Sequence, residues 1–231
     1  MPRKTRAYLA GVPCHVITRG NNREACFYCD DDYLFYLNCL ADACQRFKVS
    51  LHAYVLMTNH VHLLMTPETA EGISRVMQSL GRRYVQYINK TYRRTGTLWE
   101  GRHKASLIDA DTYLLTCYRY IELNPVRAAM VKHPAEYQWS SYRVNAGLCQ
   151  RGELAVHECY ADLGLNNEQR HYAYRELFSI DLGDQVHEIR QAINFSMPLG
   201  NTRFQQQIER ALGRKLGHQG LGRPKKAYAN D

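Results

Sequence analysis

The chain has 231 residues, 45% of them hydrophobic, with 30 Lys plus Arg against 22 Asp plus Glu and a net charge of +8. That size suits one large domain or a core domain with an appendage, and the surplus charge favours a polyanionic partner, because basic side chains displace counterions from phosphates. No apolar stretch approaches the roughly 20 residues of a bilayer span, and the basic start Met1-Pro2-Arg3-Lys4-Thr5-Arg6-Ala7 lacks the apolar core of a signal peptide, so a cytoplasmic location without membrane contact is expected.

Val12 to Thr18 alternates, with Val12, Cys14 and Val16 on one face, and reads as a strand. Arg19-Gly20-Asn21-Asn22-Arg23 is a turn-forming loop with two cations. Asp31 or Asp32 can cap a helix that carries Leu34, Leu37, Ala41, Cys44 and Phe47 on one face. Leu51 to Met57 and His60 to Thr66 are β-rich runs, and Thr58-Asn59 between them predicts a tight hairpin closed by Pro67.

Glu71 to Arg94 reads as a long helix, with Ile73, Val76, Met77, Leu80, Tyr84, Tyr87 and Ile88 at helical spacing. Its cations, Arg75, Arg82, Arg83, Lys90, Arg93 and Arg94, form either a solvated face or a nucleic-acid contact. Leu98 to Ile108 is expected as a strand, irregular at Gly101. Asp109 or Asp111 then caps a helix over Thr112 to Leu123 that Pro125 terminates. The order is strand, helix, strand, strand, helix, strand, helix. It predicts an α+β fold, a ferredoxin-like antiparallel sheet with helices on one face.

After Ala146 the pattern is less regular. Residues 165–194 look helical, and a short helix over Thr202 to Leu212 leads to a basic tail. The domains expected are a core at 1–145 and a mostly helical extension at 146–231. Tail residues Arg223, Lys225 and Lys226 can lie in a DNA minor groove or stay solvated. The eight cysteines are expected as reduced thiols. Cys26-Phe27-Tyr28-Cys29 has metal-ligand spacing, but no second pair follows, which argues against a zinc ribbon.

Within Met57-Thr58-Asn59-His60-Val61-His62-Leu63-Leu64, His60 and His62 flank one valine in a strand, so both imidazoles share a face. The pair is either half of a metal site or two exposed histidines on a half-buried sheet. Further on, Tyr120 and Asn124 are four apart in Tyr120-Ile121-Glu122-Leu123-Asn124-Pro125-Val126-Arg127 and share a helical face. A tyrosine hydroxyl can be a covalent nucleophile, and an asparagine oxygen suits a hard cation. Tyr118, the competing nucleophile, lies about 200° around the helix. His52 is a further histidine near the pair in sequence.

These segments, together with Arg19-Gly20-Asn21-Asn22, Leu98-Trp99-Glu100-Gly101-Arg102 and Trp139-Ser140-Ser141-Tyr142, resemble the single-tyrosine HUH transposases, and within them the REP-associated tyrosine transposases of bacteria. The resemblance spans roughly residues 12 to 143. It implies that His60, His62 and Asn124 hold one Mg²⁺ or Mn²⁺ on the scissile phosphate of single-stranded DNA. It also implies that Tyr120 attacks to give a 5′-phosphotyrosine and a free 3′-OH, which a second strand can reverse. Many relatives carry glutamine where this chain has the shorter Asn124. The expected substrate is a hairpin-forming repetitive palindrome. Arg19, Arg23, Arg82, Arg83, Arg102 and Lys104 are candidate phosphate contacts, and Trp99 is either a base-stacking or a core residue. The resemblance further implies a monomer in preference to the dimer that exchanges the tyrosine helix in insertion-sequence relatives, nucleoid-associated in a bacterium. Two other readings stand beside it: a non-catalytic DNA-binding protein of the same fold, and a replication or plasmid-transfer nickase.

Overall fold

The computed structural model of the chain describes residues 8–150 and 154–216; Arg223, Lys225 and Lys226 lie outside them. Four strands, β1 (Cys14–Arg19), β2 (Val49–Met57), β3 (His60–Pro67) and β4 (Lys104–Leu107), form one antiparallel sheet in the order β2-β3-β1-β4. With α1 (Asp30–Arg46) after β1 and α2 (Gly72–Thr91) after β3, this is the expected ferredoxin-like α+β unit. Met57 pairs with His60 across the Thr58-Asn59 turn, as the hairpin spacing predicts.

Directly paired strand residues share a face of the sheet. Arg19 is opposite His60, Ile17 opposite His62 and His15 opposite Leu64. His15, His60 and His62 therefore lie together on one face. Thr18, on the other face, lines a cavity with Tyr36 of α1 and Met77 and Leu80 of α2. So α1 and α2 cover the Thr18 face. The next helix, α3 (Ala110–Glu122), crosses the histidine face, where the ring of its Tyr120 meets those of His15 and His62. The expectation of helices on one face holds for α1 and α2; the tyrosine helix lies on the other.

Three local expectations shift. The buried stripe of α1 is Tyr33, Tyr36, Leu37, Leu40, Ala43 and Cys44, while Leu34 is exposed. Tyr33 and Tyr36, which the expected stripe leaves out, help to carry this face. The helix starts at Asp30 after an N-cap Cys29, and Asp32 accepts from the Cys29 N–H at 3.2 Å instead of capping from the first position. The strand expected over Leu98–Ile108 divides in two. Trp99 bridges Gly20, Asn21 N–H donates to Leu98 and Glu100 N–H to Arg19; the chain then bends at Gly101-Arg102 and enters β4.

Tyr120 and Asn124 do not sit on one regular helix. Pro125 has no N–H for the Ile121 carbonyl, so α3 ends at Glu122, the Leu123 N–H closes it on Arg119 O at 2.9 Å, and α4 (Asn124–Arg127) begins anew. The backbone of Leu123 stays near helical values (φ −83°, ψ 0°), which keeps the two side chains one turn apart.

Residues 139–145 return to the sheet: Leu56 N–H donates to Trp139 and Ser141 N–H to Tyr54. Beyond α5 (Tyr142–Asn145) come α6 (Glu158–Ala161), α7 (Asn167–Glu176), α8 (Gln185–Phe195) and α9 (Thr202–Leu212). Their Tyr160, Tyr174, Ile189 and Ile208 join the same core as the sheet. Among the described residues no helix is long and apolar enough to cross a membrane.

The joint between α3 and this extension is a fully buried carboxyl. Glu122 accepts from Ser141 Oγ at 2.5 Å, Asn145 Nδ2 at 2.8 Å and Tyr174 Oη at 2.6 Å. Burial raises its pKa from 4.5 to about 7, against the three hydrogen bonds that favour the ion. A group that holds its proton more tightly when folded contributes stability that is complete below pH 4.5 and lost as pH rises through about 7. The shift is worth about 3 kcal/mol. Glu122→Gln should therefore gain on the unaltered chain by up to that amount between pH 5 and pH 8, in urea unfolding at each pH. The difference cancels the opposite pH dependence of the buried histidines, and a flat difference would refute the assignment.

Candidate active site

The three imidazoles form a row on the sheet. His60 and His62 have ring centroids 5.1 Å apart, nearly perpendicular at 78°. The His15 ring lies edge to edge with that of His62, nearly coplanar at 21° with centroids 5.0 Å apart, its Nε2 2.7 Å from His62 Nδ1. Burial is the main cause holding all three neutral. It lowers His15 to about 3 with help from Arg127, and His60 to about 4 with help from Arg19. His62 is pushed well below the usual range, first by burial and then by its neighbours His15, His60, Arg127 and Arg19. Neutral imidazoles keep the lone pairs that a metal needs.

The proton on His60 can be placed. Asn59 Nδ2 donates to the Arg23 carbonyl at 2.9 Å, which turns Asn59 Oδ1 toward His60 Nδ1, 2.7 Å away. A carboxamide oxygen only accepts, so Nδ1 carries the hydrogen and Nε2 is bare. The Asn124 side chain is a neighbour of His60 and acts on it by a hydrogen bond that raises its pKa against the larger effect of burial, and Asn124 Nδ2 is buried with no partner. Two imidazoles and an amide oxygen fit a hard divalent ion such as Mg²⁺ or Mn²⁺. Among the described residues no group of three or more His, Cys, Asp or Glu is placed to hold a metal; the candidate for a third donor is the amide of Asn124.

Tyr120 is only 5% exposed, its ring edge-on to His15 at 5.7 Å and to His62 at 5.8 Å. Arg127 folds back from α4, donates to the Tyr120 carbonyl at 2.5 Å and sets its guanidinium 4.3 Å from the Tyr120 ring centre. Its Nε and Nη1 are buried without partners, leaving donors for an anion. Tyr118 points the other way, stacked on Tyr160 at 6.0 Å and edge-on to Tyr174, and is 1% exposed. The helical spacing separates the two tyrosines as expected. His52 is held by Ala155 O and Thr66 Oγ1 at a β2 irregularity and takes no part in the row.

The six candidate phosphate contacts divide between two faces. Arg19 is half-buried next to His60, Arg23 lies in the loop that anchors Asn59, and Lys104 shares the histidine face, bonded to Asn194 at 2.9 Å. Arg82 and Arg83 stand on α2, where Arg83 pairs with Asp42 at 3.1 Å, and Arg102 lines the cavity of 470 Å³ on the Thr18 face. Trp99 lines that cavity too, while its ring stacks on Tyr84. All eight cysteines are free thiols; Cys26 donates to Thr58 O and Cys29 contacts Tyr92 Oη. Sequence reasoning missed His15, Asn59 and Arg127 as parts of the site. The even spacing of His15, Ile17 and Arg19 on a strand was the one signal available for the first.

The family described as "Transposase IS200 like" matches residues 9–124, a span that holds every one of His15, His60, His62, Tyr120 and Asn124. Among solved structures the fold is similar to that of a REP-associated tyrosine transposase bound to a REP hairpin, with a TM-score of 0.55 and 17% identity over 68% of this chain and 96% of that one. A transposase candidate of Deinococcus radiodurans R1 is 22% identical, with a TM-score of 0.37 over 52% of this chain and 96% of the other. No curated protein sequence matches the chain.

The loop that carries Arg19 and anchors Asn59 depends on Gly20. A Cβ there would sit 2.2 Å from the Glu24 carbonyl oxygen and 3.4 Å from that of Asn59. Gly20→Ala should cost about 1–3 kcal/mol in thermal or urea unfolding. It should also speed amide exchange over residues 20–26 and the 58–59 turn. Unchanged exchange there would show that the loop tolerates the methyl group.

Proposed function

This chain belongs to the IS200-like transposase family, and from that premise we propose that it nicks and rejoins single-stranded DNA through Tyr120, at hairpin-forming repeats of the REP type. The observation that carries the reading is the placement of the Tyr120 ring against His62 with the Arg127 guanidinium 4.3 Å from its centre. A tyrosine, two neutral imidazoles and a buried cation with spare donors meet the needs of attack on a phosphodiester.

His60, His62 and Asn124 would hold a Mg²⁺ or Mn²⁺, which supplies positive charge to a non-bridging phosphate oxygen. Tyr120 Oη bonds to phosphorus as the P–O3′ bond breaks. The 5′ phosphate stays on the tyrosine and the leaving oxygen takes up a proton as a free 3′-OH. Arg127 stabilises the charge that develops on Tyr120 Oη as its proton leaves, and its free Nε and Nη1 can donate to the phosphate. In the second half a 3′-OH from another strand attacks the phosphotyrosine and frees Tyr120. One phosphoester is made for each one broken, so no outside energy is needed.

The fold shared with a protein seen on a REP hairpin supports hairpin DNA as the substrate. Arg19, Arg23 and Lys104 surround the histidine face, where the cleaved strand would run. On the opposite face Tyr36, Trp99, Arg75 and Arg102 line a cavity of 470 Å³. Aromatic rings among cations suit an unpaired base and its phosphate.

With Mn²⁺ and a single-stranded hairpin substrate, the protein should form a covalent adduct that denaturing gels retain. Tyr120→Phe should bind the hairpin with little change and form no adduct, whereas Tyr118→Phe should still form it. Adduct in Tyr120→Phe would reject the nucleophile, and hairpin binding without adduct in the unaltered chain would favour the non-catalytic reading. Arg127→Met should slow adduct formation by on the order of 10²-fold, measured as a single-turnover rate.

A further inference from the structure

His60 has a neighbour that sets its proton; His62 needs one as well. For His62 to offer Nε2 to a metal, its proton must sit on Nδ1, and Nδ1 must have an acceptor. The atom found there is His15 Nε2, at 2.7 Å. We propose that His15 is a positioning residue that fixes the metal-binding tautomer of His62 by accepting its Nδ1–H. The inference rests on the metal-site reading given above.

The pair can hold its two protons in two ways without change of charge. In one, His62 Nδ1–H donates to His15 Nε2, His15 carries its own proton on Nδ1, and His62 Nε2 is bare. In the other, His15 Nε2–H donates to His62 Nδ1, and His62 Nε2 carries a proton that a metal must displace. Passage between them moves the shared proton across the 2.7 Å contact and the second proton from His15 Nδ1 to His62 Nε2.

Three observations support a role beyond packing. First, His15 is fully buried, and its Nδ1 has no hydrogen-bond partner. An apolar residue of similar volume would fill the place without an unsatisfied nitrogen, so the polar contact that remains, to His62, is the one the imidazole provides. Second, the two rings lie parallel within 21°, and the Tyr120 ring meets both edge-on. The contact is thereby held in one geometry. Third, the arrangement repeats the logic seen at His60, where Asn59 Oδ1 accepts from Nδ1 and is itself fixed by the Arg23 carbonyl. Each metal-facing imidazole thus has one acceptor behind it, one an amide and one an imidazole.

The test compares His15→Leu, which has no acceptor, with His15→Gln, whose Oε1 can take the same proton. Titration calorimetry with Mn²⁺ alone should show binding weakened on the order of 10–100-fold in His15→Leu and mostly recovered in His15→Gln. Circular dichroism and thermal unfolding confirm that each variant is folded. A folded His15→Leu with undiminished Mn²⁺ affinity would overturn the proposal. Should His15→Leu not fold, ¹⁵N spectra of the unaltered, histidine-labelled protein in saturating Mg²⁺ decide. His62 protonated at Nδ1 supports the proposal, and His62 protonated at Nε2 overturns it. Absence of Mn²⁺ binding by the unaltered chain, both alone and with a single-stranded hairpin present, would overturn the metal site itself and this inference with it; loss confined to the His15→Leu comparison leaves the metal site standing.

Discussion

A slip of one residue between β1 and β3 would carry His60 and His62 to the face covered by α1 and α2, away from Tyr120. The register that places Arg19 opposite His60 and Ile17 opposite His62 is therefore the constraint on which the site depends. It also brings His15, two residues from Ile17, onto the same face, where it meets His62 edge to edge. Both sides of the sheet help to hold that register. On the Thr18 face, Val16, Leu63 and Met65 are buried, and each would be turned toward the opposite face by a slip. At the end of β1, Gly20 N–H donates to Asn59 O, and Trp99 bridges Gly20. The turn between the histidine strand and its neighbour is thus tied to the loop after β1.

The second constraint is rotational. Tyr118 and Glu122 share one face of α3, and Tyr120 shares the other with Asn124 across the Leu123 break. Holding one pair against the extension orients the other toward the sheet. Glu122 does this with three hydrogen bonds to Ser141, Asn145 and Tyr174, the last on α7. Tyr118 packs with Tyr160 and Tyr174 of the same extension. Tyr160 and Tyr174 are in this sense part of the positioning of Tyr120, although they lie outside the span that matches the transposase family. The Trp139-Ser140-Ser141 segment gains a physical explanation too. It must lie along β2 so that Ser141 Oγ can accept from the Tyr54 N–H and donate to the Glu122 carboxyl.

Much of this was legible in the chain, for reasons that can be named. The His-Val-His alternation gives a shared face because strand geometry has period two. The spacing of Tyr120 to Asn124 distinguishes Tyr120 from Tyr118 because the helix has 3.6 residues per turn. Both are local rules. What stayed hidden was set by contacts between distant segments. His15 looks like any polar residue on a strand until β3 is placed beside it. Arg127 stands seven residues after Tyr120, and only the near-helical passage from α3 into α4 sets its guanidinium on the Tyr120 ring. Glu122 stands between two apolar residues, Ile121 and Leu123, with nothing local to mark it as buried, and its burial requires an extension whose own pattern is weak. The α1 stripe was displaced for a related reason: tyrosines fill this core, and a pattern of aliphatic residues passes over them.

The charges around the site bear on the order in which its ligands assemble. On the proposed reading the donors, His60, His62 and Asn124, are all neutral, and the charged neighbours that act on His62 are the cations Arg127 and Arg19. A divalent ion entering this site gains no ionic partner from its ligands and is repelled by two guanidiniums. A phosphodiester reverses that balance. Its charge is attractive to Arg19, to the spare donors of Arg127 and to the metal together. Metal and DNA phosphate then bind with positive coupling, and by linkage each must raise the affinity of the other by the same factor. A carboxylate ligand would bind the ion more tightly in the absence of DNA but would spend part of its positive charge. The neutral donor set instead leaves that charge for the phosphate at the step where charge develops, in a site whose imidazoles burial keeps unprotonated throughout the physiological range.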